Sequence, residues 1–373
     1  MKKLTVFYKF FVCIFSLYLI AVIMDAYLSA PQKRGETSSK TIQFNQQFLH
    51  PYYFFSFPTR PDLLEKLNDK NSWVDARGFR GPGPEKRGKR KLAFLLGGST
   101  AFGHGTDANE TTITGVLNRI QGEYFFVNTG VPSWNSFQEL LRYLKQVQNE
   151  NPALVISLSG FNDIITAFDR KDSSIPPDAP ESFEDLSAWV EDIRSTEFRD
   201  NAVKEYLQKT SILRHFRLRQ VFTFFGIQFE EQQYRKKHLA QPNVSLPRDA
   251  WVHQTIDRYL ENMTLINNYC ALKKTKFMVF FQPYLYASAT DVPSGVNPAS
   301  LNKDFREFFV VARSELNKRE IDFVIDISDP FYNSNLRPAD FYSDEVHFND
   351  AGYEHIARLI WSTVKARDNA AIQ

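Results

Sequence analysis

Ser99 stands directly after Gly97-Gly98, at the end of the apolar run Leu92–Leu96. A serine hydroxyl is a poor nucleophile until a base removes its proton, and the base needs an orienting partner, usually a carboxylate. The stretch Tyr342-Ser343-Asp344-Glu345-Val346-His347 supplies both near the C-terminus. The Asp344–His347 spacing lets one helical turn or tight loop bring Asp344 to one imidazole nitrogen and leave the other facing Ser99. If Ser99 attacks a carbonyl, the tetrahedral intermediate carries an oxyanion that needs preorganised donors. The candidates are the Ser99 N–H, the Gly130 N–H in Asn128-Thr129-Gly130, and the Asn162 carboxamide in Gly160-Phe161-Asn162-Asp163. At Gly130 a side chain would block approach. At Asn162 a neutral donor suits developing negative charge, which a carboxylate would repel. Asp163 is accordingly read as a local cap or structural hydrogen-bond acceptor. His104 has no evident carboxylate partner and is read as a site-edge or surface residue, a substrate contact at most.

Other chemistries fit the glycines less well. A phosphate cradle needs Lys and Ser/Thr after its last glycine, because the lysine reaches the terminal phosphates. Gly98 to Gly103 has the spacing, but His104 and Gly105 follow. A dinucleotide turn matches Gly103-His104-Gly105-Thr106-Asp107-Ala108 only in form. That match starts residues after the strand, and Asn128 stands where a ribose-binding acid is expected. The elbow G-x-S-x-G misses by one residue at Gly97-Gly98-Ser99-Thr100-Ala101, and its Asp normally lies well before the His. No cofactor and no metal site is expected.

These residues need strand ends to hold them. Apolar runs at Leu92–Leu96, Tyr124–Val127, Ala153–Leu158, Phe277–Phe281 and Phe323–Ile327 predict buried strands. Helical patterns at Thr111–Ile120, Ser136–Asn149, His253–Leu272, Asn302–Asn317 and Ala351–Ala366 alternate with them. In Ser136–Asn149 the apolar residues Phe137, Leu140, Leu141, Leu144 and Val147 recur at helical spacing. Such alternation predicts parallel pairing through right-handed crossovers, in a three-layer α/β/α domain of about five strands. Ligands then sit beyond the carboxyl ends of the strands, where Ser99, Gly130 and Asn162 fall.

The domain is read as residues 91–370, with a helix-rich insertion at 164–250 after the third strand. The insertion is read as a cover for the site or as a packed structural subdomain, its Phe222, Phe224, Phe225 and Phe229 as core. Residues 31–90 read as a linker and lead-in. The aromatic stretch His50–Pro58 is expected to pack on the domain or rest at a membrane surface, and the Gly/Pro-rich run 76–90 reads as turns. In residues 1–30, Lys2, Lys3 and Lys9 precede an uncharged stretch from Phe10 to Met24, close to bilayer-spanning length. A poor cleavage site at Leu28-Ser29-Ala30 favours an uncleaved signal anchor, a transmembrane helix with its N-terminus in the cytoplasm. The catalytic domain is then extracytoplasmic.

A formal net charge of +2 gives no reason to expect a polyanionic partner. The basic block Glu85–Lys91 lacks interleaved aromatics, so no nucleic-acid partner is expected. Cys13 lies in the apolar N-terminal run, so a disulfide with Cys270 is not expected. Asn109, Asn243 and Asn262 open glycosylation sequons, which count only in a eukaryotic secretory pathway.

Together, Ser99 in GGST, Gly130 in NTG, Asn162 in GFND and His347 in DEVH, in this order, resemble the four blocks of the SGNH (GDSL-type) hydrolase superfamily. The similarity covers about 92–163 and 323–366. It implies a flavodoxin-like fold and metal-free ester hydrolysis or acyl transfer, with Asp344 as the partner of His347. The Gly78-Phe79-Arg80-Gly81 motif also resembles membrane-anchored members. The acidic neighbour of the serine in the family signature is Gly98 here, which leaves the subfamily open. The expected activity is removal of a small acyl group such as acetyl from an ester, an acylated cell-surface polysaccharide being the substrate class favoured by analogy. The alternatives are an O-acyltransferase with the same triad and a non-catalytic glycan-binding or assembly protein that retains the fold.

Overall fold

The run from Leu92 to Gly97 is buried throughout and forms strand β3 (Lys91–Gly97) in the computed structural model. Its companions are β4 (Tyr124–Asn128), β5 (Leu154–Ser159), β6 (Lys276–Phe281) and β7 (Val324–Asp326). The five pair in parallel in the order β4-β3-β5-β6-β7. Counted along the chain from β3, this is 2-1-3-4-5, the flavodoxin-like order, whose direction reverses between β3 and β5. A short antiparallel pair, β1 (Phe48–His50) and β2 (Phe54–Ser56), and helix α1 (Pro61–Leu67) precede the sheet. The structure describes residues 48–50, 53–57, 61–170, 248–287, 302–331 and 336–370, all within one compact unit.

The helices are α2 (Ser99–Phe102), α3 (Ile113–Ile120), α4 (Ser136–Lys145), α5 (Phe161–Arg170), α6 (Arg248–Leu272), α7 (Lys303–Lys318) and α8 (Asp350–Ala370). Helices α3 and α8 pack together, as do α4, α5, α6 and α7. With right-handed crossovers, these groups cover opposite faces of the sheet. Near-continuous apolar strands require that cover, and Phe94, Val127, Ile156 and Phe280 are all buried.

The strands and main helices fall where the apolar patterns predict, except that β7 is half-buried and not buried as expected, and with two further corrections. Residues 164–170, expected in the insertion, continue helix α5 of the core. The rest of the insertion, 171–247, the segment 1–30 expected to span the membrane, and Asn243 lie outside the described residues. Among the described residues no helix is long and apolar enough to cross a membrane. Asn109 and Asn262 are buried, so neither sequon offers an accessible acceptor. Cys270 is buried as a free thiol.

The second correction concerns α4. Its N-terminus carries a capping box between Asn135 and Gln138. Its buried positions include Glu139 and Arg142, beyond the apolar spacing. The lead-in segment encloses Arg142, which donates to the Arg77 and Gly78 carbonyls, whereas Glu139 faces β5. Ser157 Oγ donates to Glu139 Oε2 at 2.6 Å, and Ser157 and Ser159 hydroxyls lie 2.9 Å apart. Burial, with a smaller push from the Asp163 charge, raises the Glu139 carboxyl to about 8.

The folded state thus keeps this proton to a higher pH than the unfolded chain does. Stability must fall as pH rises from the ordinary carboxylate range toward about 8. Glu139→Gln preserves shape and removes the titration. Thermal midpoints across that range should decline a few degrees less for the variant than for the wild type. Parallel declines would exclude Glu139 as the source.

Candidate active site

Ser99 begins α2 directly after β3, so its N–H is one of the orphan donors of a helix start. Asn162 lies in the first turn of α5, directly after β5, which pairs with β3. The two residues therefore flank the crevice where the sheet order reverses. Gly98 makes their approach possible. A Cβ there would stand 2.3 Å from Asn162 Nδ2, a separation no side chain tolerates. Asn162 Nδ2 donates to the Trp134 carbonyl at 2.7 Å, which fixes the carboxamide beside Gly98. A second N–H on the same nitrogen remains for another acceptor.

His347 reaches this rim from the other end of the chain. Its ring Nε2 lies 2.7 Å from Ser99 Oγ, and its Nδ1 lies 2.6 Å from Asp344 Oδ2. A tight turn sets this geometry. Tyr342 and Phe348 pair as an antiparallel bridge, and Ser343 N donates to the His347 carbonyl at 2.8 Å. Asp344 Oδ1 accepts from the backbone of Val346 at 2.8 Å and of His347 at 2.7 Å. The turn is tied to the sheet by Leu285 N, which donates to the Glu345 carbonyl at 2.9 Å. Behind it, Asn349 Oδ1 accepts from Gly352 N at 3.0 Å and so caps α8. Burial opposes charge on Asp344, but the hydrogen bonds and positive charge of His347, with the two backbone donors, hold its carboxyl below the usual range.

His104 takes the site-edge placement and departs from the surface one. Its ring meets that of His347 edge-on, with centroids 4.3 Å apart. Burial lowers His104 to about 4, with a further push from the His347 charge, so it stays neutral at physiological pH. His104, Asp344 and His347 also offer ligand atoms within 4.8 Å of one another. However, both nitrogens of His347 already face Asp344 and Ser99 at hydrogen-bond distance, so an ion here would have to displace those contacts.

Gly130 also departs from expectation. Its N–H donates to Asn128 Oδ1 at 3.0 Å, and a Cβ there would stand 2.5 Å from Phe102 N. Close packing against α2 requires this glycine, and its N–H is committed within the fold. The turn that follows holds the exposed Ser133 at φ 64, in the left-handed region that disfavours side chains. Trp134, next to it, carries the carbonyl that orients Asn162. Strain of this kind persists where surroundings over-determine it and clusters at functional sites. Asp163 is a structural acceptor, as read from its chemistry: it takes the Ser136 N–H at 3.1 Å and the Ser136 hydroxyl. Asn262 Nδ2 donates to that hydroxyl at 2.9 Å, so α4, α5 and α6 are knotted behind Asn162.

The aromatic lead-in packs on the domain, the first of its two expected placements, but the sequence reading missed the arginines that fasten it. Tyr53, Phe57, Leu64 and Val74 form a buried cluster with Phe102, Val131 and Trp134, so this segment packs on the elements that hold Ser99 and Asn162. Two buried arginines fasten it. Arg142 donates to the Arg77 carbonyl at 2.9 Å and to the Gly78 carbonyl at 3.1 Å, and its guanidinium lies over Trp134 at 4.8 Å. Arg80 reaches the segment beyond α2. The one available signal was an arginine between glycines in Gly78-Phe79-Arg80-Gly81, which reads equally as a solvated turn.

No family model matches the sequence, and no curated protein matches it in sequence. Among solved structures, it is similar to LAE5, an α/β hydrolase enzyme from the metagenome of Lake Arreo, Spain, at 13% identity and a TM-score of 0.39, covering 73% of this chain and 94% of that one. It is similar to a GDSL-like lipase from Bacteroides thetaiotaomicron at 14% identity and a TM-score of 0.37, covering 77% and 92%. A catalytic mutant of Axe2, an acetylxylan esterase from Geobacillus stearothermophilus, aligns at 11% identity and a TM-score of 0.37, covering 72% and 91%. Likenesses this low carry no assignment, so function must be argued from the geometry of Ser99, His347, Asp344 and Asn162.

Proposed function

We propose that the protein is an SGNH-type serine ester hydrolase that removes a small acyl group, such as acetyl, from an alcohol. The observation that carries this reading is the line Asp344–His347–Ser99, with consecutive contacts of 2.6 and 2.7 Å. His347 Nε2 takes the Ser99 proton as Oγ attacks the ester carbonyl. The Ser99 N–H and the Asn162 carboxamide hold the oxyanion. On collapse the alcohol C–O bond breaks, and His347 returns the proton to the departing oxygen. Water then attacks the acyl-serine by the same steps. Asp344 keeps the Nδ1–H of His347 directed away from Ser99 and stabilises the imidazolium.

The ester substrate class is an acylated cell-surface polysaccharide. The sequence reading of residues 1–30 as an anchor supports it, since an anchor places the domain outside the cytoplasm. Transfer to an acceptor hydroxyl uses the same groups, with that hydroxyl in place of water.

A panel of short-chain esters and acetylated sugars, assayed with and without a sugar acceptor, tests the reading. A fluorophosphonate probe should label the wild type, and Ser99→Ala should abolish labelling. An unlabelled, folded wild type would favour a glycan-binding protein instead. Asn162→Ala should lower kcat by roughly 10²–10³-fold, as expected for one lost oxyanion donor. An unchanged kcat would remove Asn162 from the site.

A further inference from the structure

Arg80 is 3% exposed, and every N–H of its guanidinium is engaged. Nε donates to Asn109 Oδ1 at 3.1 Å. Nη1 donates to the carbonyls of Phe102 at 3.1 Å and Gly103 at 2.7 Å. Nη2 donates to Ser72 Oγ at 3.2 Å and to the Thr106 carbonyl at 3.1 Å. All these acceptors are neutral. The main-chain carbonyls among them belong to 102–106, the segment that leaves α2 and carries His104. The guanidinium also lies over the Phe102 ring, 4.6 Å from its centroid.

Helix α2 is one turn long and cannot hold itself, since a single turn fixes several dihedrals for little bonding. Its last carbonyls need outside donors. Asn128 Nδ2 donates to Ala101 O at 2.9 Å and Phe102 O at 3.1 Å, and Tyr353 donates to His104 O at 2.5 Å. Arg80 supplies the rest. Burying a guanidinium without a hydrogen-bonded carboxylate is costly. An apolar side chain would fill the space at lower cost, but it could not donate to three carbonyls at once.

We infer that Arg80 is a positioning residue for the reaction at Ser99. Its guanidinium fixes the 102–106 segment, and through it the turn that presents Ser99 and the His104 ring on which His347 rests edge-on. This inference builds on the serine-hydrolase reading above.

Arg80→Lys keeps the charge but offers three donors from one atom instead of a planar fork. It should lower kcat by about 10²-fold, the scale of a displaced reacting group, with KM little changed. In Arg80→Ala, millimolar guanidinium should restore part of kcat, whereas ammonium at equal ionic strength should not. The downfield proton of His347 Nδ1, observed by NMR, reads the positioning without substrate. In Arg80→Lys it should broaden or shift. Wild-type kcat and an unchanged His347 signal in a folded Arg80→Lys would overturn the inference. So would a loss of rate that follows thermal destabilisation alone and resists guanidinium. Wild type and Ser99→Ala are assayed in parallel: an inactive wild type counts against the hydrolase reading, and the NMR signal still decides for or against Arg80.

Discussion

Ser99→Ala is expected to reduce ester turnover by roughly 10⁶-fold while leaving the fold unchanged. The size follows from the arrangement. The Ser99 hydroxyl oxygen is the atom that attacks the carbonyl, and it lies 2.7 Å from the base, His347 Nε2. Without the hydroxyl, only the oxyanion donors and substrate binding remain, and these retain a small part of the rate enhancement. Ser99 is 9% exposed and opens a strand-end turn, so losing one oxygen leaves no apolar cavity. Thermal midpoints should therefore coincide. The measurement is kcat on the best ester of the panel, together with probe labelling. Persistent turnover in Ser99→Ala would end the hydrolase proposal.

Asp344→Asn should lower kcat by about 10⁴-fold, the loss expected when the imidazole is held in the wrong tautomer. Asp344 Oδ1 accepts the Val346 and His347 N–H groups, so an asparagine will keep its oxygen there. That choice places the new NH2 opposite His347 Nδ1, now 2.6 Å from a carboxylate oxygen. Two donors cannot face each other. The imidazole must carry its proton on Nε2, where it cannot accept the Ser99 proton. The turn itself keeps its backbone bonds, so the variant should fold. Because its surroundings hold the Asp344 carboxyl below the usual range, the wild type keeps this charge throughout neutral and mildly acidic pH. What it contributes to stability is lost only as pH falls through that depressed value. Full activity in Asp344→Asn would show that His347 is oriented by another group.

Much of the framework was legible in sequence because its signals are local. An apolar run such as Leu154–Ser159 cannot be exposed, and the patterns between such runs can only be crossover helices. Parallel pairing then places Ser99 and Asn162 at carboxyl strand ends. The Asp344–His347 contact was legible for the same reason, since a three-residue spacing closes in one tight turn. Gly130 was misjudged because a glycine that admits a ligand and one that admits a neighbouring backbone look alike in sequence. The structure shows Phe102 against it.

Sequence by itself thus determined the order of strands and helices and the residue types offered at the sheet's rim. Tertiary structure alone decided which of them meet: His347 crossing to Ser99, His104 against His347, and Arg80 beneath the turn that carries both. Hydrophobic burial is read from side-chain type, because any apolar neighbour satisfies it. A buried guanidinium or imidazole is satisfied only by particular acceptors in particular directions, and those of Arg80 on 102–106 come from carbonyls 22 to 26 residues away in the chain. No local pattern records such partners, so they come into view only when the chain is folded.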